Sequence, residues 1–191
     1  MNSLIQKIGI GVAAVILLFL IVGIFLPTKH HVERSTTINV PASVVFKEVN
    51  SYQSFNNWSP WANIDPNGKV RFEGPEAGVG STMIWSSKNP KVGNGSQKII
   101  VSEPYKHILV DLKFDGFKGK VTAGWKFEEK NAGETLVTWS NDSHNEGGIF
   151  SKYMDLIISP QIGKSYEQGL KNLKAYVEDL YAKQQDTEEK G

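Results

Sequence analysis

The sequence predicts an α+β protein: a curved antiparallel sheet of six to seven strands wrapped around a long C-terminal helix, preceded by one N-terminal transmembrane helix. Three observations carry this. An unbroken apolar run occupies residues 8–26. From Lys69 to Ser140, short segments alternating apolar and polar residues recur between Gly, Pro and Asn clusters. After Pro160, apolar residues recur at spacings of three and four. The 191 residues thereby divide into an N-terminal tail (1–7), the membrane helix (8–26), a juncture (27–31), one domain (32–182) and a polar tail (183–191).

The first element is IGIGVAAVILLFLIVGIFL, Ile8 to Leu26, without a charge. As a helix it spans about 28 Å, close to the hydrocarbon thickness of a bilayer. A cleaved secretory signal is the competing reading. The run is longer than the usual apolar core of such signals, and its exit, Phe25-Leu26-Pro27, lacks small residues for cleavage. No polar face exists along it, which argues against a buried core helix. A membrane anchor follows, through residues 8–26. The flanking charges, Lys7 on one side and Lys29 and Arg34 on the other, leave the side of the soluble domain open.

Charge narrows the partners of the remainder. The chain has 21 Lys and Arg against 20 Asp and Glu, and Lys7 is the only charge before Lys29, so the soluble part is balanced. A duplex-binding surface shows as a basic excess, so no nucleic-acid partner is expected. Cysteine is absent, which excludes disulfides, thiolate nucleophiles and Cys-containing zinc sites.

Along the domain, Val32 to Val40 places Val32, Ile38 and Val40 on one strand face, and Pro41 ends it. SVVFKEVNSY from Ser43 reads as a short helix with Val45, Phe46 and Val49 inward, and YQSFNNWSPW as an aromatic-rich turn or short helix. Strands are then expected at Lys69–Glu73, Ser81–Ser87, Gln97–Ser102, His107–Asp115, Val121–Glu129 and Glu134–Ser140. Their short connections, such as Asp115-Gly116 and Asn131-Ala132-Gly133, favour a meander.

The alternation assigns faces. Met83 and Trp85, then Val110, Leu112 and Phe114, then Ala123, Trp125 and Phe127, then Val137 and Trp139, all fall on one apolar, aromatic face. A helix laid across the sheet should cover it. Ser159 suits an N-cap with Pro160 at the first helical position, and Ile162, Tyr166, Leu170, Leu173, Val177 and Leu180 form its apolar stripe to about Tyr181. Ile149–Ile158 reads as a separate, more apolar helix.

This order and its local wording resemble the START-like SRPBCC superfamily, the helix-grip fold, and within it bacterial polyketide cyclase/dehydrase-type proteins. The stretches are VERSTTINVPASVVFKEV, WSPW at 58–61, GVGSTMIWSSKNPKVGNGS, IIVSEPY, ETLVTWSND and YEQGLKNLKAYVED, from Val32 to about Asp179. The resemblance implies a cavity between sheet and final helix that accepts an apolar small molecule or lipid.

No GxSxG, HExxH, P-loop or dinucleotide fingerprint occurs. Asp142, Ser143 and His144 are consecutive, and consecutive residues cannot converge as a triad. We therefore expect no catalytic residue, no metal and no cofactor. The candidate cavity lining is Met83, Trp85, Val110, Leu112, Phe114, Ala123, Trp125, Phe127, Val137 and Trp139 from the sheet, with Tyr153, Ile157 and Tyr166 from the helices. The leading reading is a membrane-anchored binding or carrier domain. A cyclase/dehydrase-like enzyme and a protein-interaction module on the same groove are the alternatives.

Overall fold

A computed structural model describes residues 2–131 and 133–188; Ala132 of the expected turn and the end of the expected tail, 189–191, lie outside them. The elements are α1 (Asn2–Phe25), β1 (Lys29–Ile38), α2 (Ala42–Val49), α3 (Tyr52–Phe55), β2 (Lys69–Glu73), β3 (Thr82–Ser86), β4 (Asn94–Glu103), β5 (His107–Phe114), β6 (Gly119–Asn131), β7 (Glu134–Asn145) and α4 (Ile149–Glu188).

Strands β2 to β7 pair in sequence order as an antiparallel meander, and β1 closes the sheet beside β7, giving β1-β7-β6-β5-β4-β3-β2. Tight turns make this possible. At the β2–β3 corner Gly74 has φ +79°, and a side chain there would collide with the Gly80 carbonyl. Each expected strand is present, and the differences lie at polar ends. β1 starts at Lys29, not Val32, and β7 continues to Asn145, past Ser140. Their added residues pair with each other, Lys29 opposite His144 and His31 opposite Asp142. Backbone pairing carries these ends, so hydrophobic alternation does not reveal them.

Two expectations about the final helix are corrected. Ile149–Ile158 and the helix from Pro160 are one continuous α4, with Pro160 in its interior, and it extends through the expected tail to Glu188. Contacts on both sides of the proline hold the segments in line. Asn145 donates to Asp155 (2.6 Å), and Gly163 lies against the Arg34 guanidinium. Nor does α4 cross the whole sheet. It follows β1: Arg34 pairs with Glu167, Lys174 Nζ donates to the Thr37 carbonyl (2.6 Å), and Glu178 accepts from the Asn39 amide (2.8 Å). The core lies between this edge, α2, α3 and β6–β7, with Ile38, Val45, Val137, Leu173 and Val177 fully buried.

Candidate functional site

The inner face of the sheet has a filled end and an uncovered end. At the filled end, Trp139 stacks on Tyr166 with centroids 3.8 Å apart and planes within 8°, and on Trp125 at 4.3 Å. Trp58, from the loop after α3, stands edge-on to both indoles at 5.7 and 6.1 Å. Gly169 makes room on α4, since a Cβ there would stand 2.7 Å from the Trp139 ring. These rings pack against one another between the sheet and α4. Val110, Ala123, Trp125, Phe127, Val137, Trp139 and Tyr166 all belong to this buried core. The indole N–H groups of Trp58 and Trp139 are buried there without a partner. Burial pushes the Tyr166 phenol well above its ordinary pKa, against a hydrogen bond from Asn141 that pulls it down, so it stays neutral.

At the other end, cross-strand register aligns Val70, Trp85, Gly95 and Phe114 in one row, and Phe72, Met83, Gln97, Leu112 and Val121 in the next. Both rows face the same side as the core, yet α4 does not reach them. Val70, Phe72 and Phe114 are 42, 41 and 40% exposed, and Trp85 and Leu112 are half-buried. Trp85 packs edge-on against Phe114 (5.6 Å), lying over Gly95, where a Cβ would stand 2.5 Å from the indole. Gln97 is buried beside Met83, its amide 3.7 Å from the sulfur. The result is an apolar shelf with one buried amide at its inner margin. Val70 and Phe72 were not among the expected site residues, although alternation in KVRFE already puts them on one face.

The shelf runs into an open cleft of about 350 Å³, whose walls include Phe72, Tyr52, Gln53, Glu76 and Ser81. Tyr52 is buried, and its hydroxyl has no partner. Desolvation drives its pKa strongly upward, so it offers a neutral O–H.

Tyr153 and Ile157 join neither end. The Tyr153 ring stacks on Phe19 of α1 (4.1 Å) and its hydroxyl donates to the Phe19 carbonyl (2.7 Å). Ile157 is 66% exposed, two residues on from the inward-facing Asp155 and so on the opposite side of α4.

A pair of inward polar groups at the β1 edge also stands outside the expected set. His30 Nε2 lies 3.5 Å from Asp155 Oδ2, at the start of β1, and both are mostly buried. His30 is in phase with Val32 and Ile38, a signal masked by its place beside the apolar run. Asp142 and His144 lie on the outer sheet face while Ser143 faces inward, so these three do not form a triad. His31 Nδ1 and Asp142 Oδ1 are 2.7 Å apart on that face, beside a second open cleft of about 310 Å³ shared with Lys29, Lys120 and His144. Among the described residues, no three His, Asp or Glu side chains are placed to hold a metal.

Solved structures with this architecture include Ara h 8.0201 (17% identity, TM-score 0.54, 79% of this chain and 99% of that one). KanY is similar at 15% identity and TM-score 0.58, covering 78% and 98%. Zhui aromatase/cyclase from a Streptomyces species is similar at 14% identity and TM-score 0.57, covering 78% and 94%. At these identities they establish the helix-grip fold alone. No curated protein matches the sequence. The family model described as polyketide cyclase/dehydrase and lipid transport matches residues 29–178, from the first residue of β1 to the last turns of α4, and the chain belongs to that family, within the SRPBCC superfamily.

Proposed function

We propose that this chain is a membrane-anchored binding or carrier domain for an apolar small molecule or lipid, held on the shelf of Val70, Phe72, Trp85, Leu112 and Phe114. The uncovered apolar end of the inner sheet face carries the proposal, because large side chains left exposed beside a cleft have no packing role to explain them. A ligand burying about 300 Å² there gains roughly 7 kcal/mol at about 25 cal/mol per Å² before association costs, a micromolar ligand at best. Gln97 and the Tyr52 hydroxyl are the polar groups available to orient it.

Carriage is favoured over turnover by where the ionisable groups stand. The two shelf rows contain none, and Glu76 stands only in the cleft wall. The inward-facing His30, Arg34 and Asp155 lie at the β1 edge, on the far side of the sheet. The family description includes lipid transport, which agrees with this reading. The anchor rests on α1, which is exposed from Ser3 to Phe25 except at Gly23, so it is not a core helix.

Native mass spectrometry of the detergent-solubilised chain with fatty acids and polycyclic aromatics tests the site. Bound apolar ligand is expected, weakened by Trp85→Ala and by Phe114→Ser with the fold intact. Binding unchanged by both substitutions would sink the shelf assignment.

A further inference from the structure

The first third of α4 carries an apolar surface that the protein leaves open. Phe150, Met154, Ile157 and Ile158 stand at i, i+4, i+7 and i+8, one helix face; Phe150 and Ile157 are turned away from Asp155 and Tyr166, which point to the sheet, and Ile158 stands at the edge nearer Asp155. Phe150, Ile157 and Ile158 are 69, 66 and 49% exposed. A monomeric domain seldom leaves such a cluster in water. Between Glu146 and Lys164 only two charges occur, one turned to the sheet and the other to α1. Asp155 accepts from Asn145, while Lys152 Nζ donates to the carbonyls of Gly23 and Ile24 at 3.2 Å each.

Those contacts also set the height of this segment against α1. Ile149 abuts Gly23, and the Tyr153 hydroxyl reaches the Phe19 carbonyl, six residues before the end of α1 at Phe25. At 1.5 Å per residue that is about 9 Å below the exit of α1. Phe25 itself is 82% exposed. Lys29 and Lys120 stand on the neighbouring strand ends and Lys118 just before β6, with Asp142 and Glu146 as acidic groups beside them. The start of α4, from Ile149 level with Gly23 to Tyr153 level with Phe19, thus lies about 3–9 Å below the end of a spanning helix, reaching the depth of about 5–10 Å at which interfacial helices lie.

We propose that residues 149–158 of α4 are an interfacial membrane segment, with Phe150, Ile157 and Ile158 immersed in the acyl boundary of the bilayer that α1 crosses. The occupant of this face is lipid, because the face is continuous with α1. The proposal rests on the anchor reading given above, and the test separates the two. The chain has no cysteine, so single thiols can be placed at will. Ile157→Cys, Leu17→Cys and Val79→Cys, all at exposed positions, are labelled with a polarity-sensitive fluorophore in the full chain. The labelled proteins are reconstituted in phosphatidylcholine–phosphatidylglycerol vesicles carrying a nitroxide on the acyl chain. Emission at position 157 should shift blue and be lost to the quencher nearly as fully as at position 17, while position 79 on the β2–β3 turn is unaffected. Quenching at 17 but not at 157 overturns the interfacial segment and leaves the anchor standing. No quenching at 17 overturns the anchor, and the segment with it.

Discussion

Trp139 is clamped between Trp125 and Tyr166, and every face of its indole meets another ring or α4. Removing it should therefore open a void that its neighbours cannot fill. Trp139→Ala is expected to cost about 3–5 kcal/mol, measured by denaturant unfolding of the solubilised chain. Tyr166 makes a second, pH-dependent contribution. Its pKa is raised in the folded state, chiefly by burial, so its stabilisation is complete below the unfolded value of about 10 and is lost as pH rises beyond it. Stability should fall with rising pH above about 10, and Tyr166→Phe should flatten that fall; an unchanged profile would exclude Tyr166 as the cause. At this scale the period-two pattern identifies the inward face of β1, β3, β5, β6 and β7, while β2 and the bulged β4 are assigned no face. It does not separate Trp139, which is core, from Trp85, which is shelf. That distinction depends on how far α4 reaches across the sheet, which no strand encodes.

Among the elements, α4 shows where a local signal has two physical meanings. Ser159-Pro160 has the composition of a helix start, because proline lacks the N–H that a first turn leaves unpaired anyway. The same pair inside a helix costs the bond that residue 160 would make to the Leu156 carbonyl. Which meaning holds is decided by distant contacts, Lys152 on α1 and Gly163 against Arg34, and these are invisible in a window of sequence. Pro160→Ala should accordingly stabilise the fold, by up to about 3 kcal/mol where the helix accepts a straight path. A lowered thermal midpoint would show instead that the fold depends on Pro160. The polar strand ends of β1 and β7 escaped sequence reading for a related reason: their backbones pair while their side chains carry no apolar rhythm.

For the molecule as a whole, the anchor reading predicts that the full chain stays with membranes through alkaline carbonate extraction. A mature form lacking residues 1–26 would instead identify α1 as a cleaved signal. A chain beginning at Thr28 should fold, because the core lies entirely within β1 to α4. It should also aggregate more readily than a chain in which Ile157 and Ile158 are replaced by serine, since loss of α1 adds Ile149 and Tyr153 to an already open apolar surface.

Three residues, Leu26 to Thr28, separate α1 from β1, and Lys152 ties the end of α1 to the base of α4. So short a tether reaches only about 10 Å, and the hydrogen bonds remove most of that slack. With α1 embedded, the domain could neither swing out to meet a cargo in bulk water nor turn its shelf freely toward and away from the lipid. Its ligand would have to arrive by travelling within the membrane plane, or be handed over by a partner that docks at a set height and angle. A flexible insertion between Pro27 and Thr28 would convert this fixed bearing into a roving one, and transfer between neighbouring membranes would become faster only if reach, not affinity, limits it.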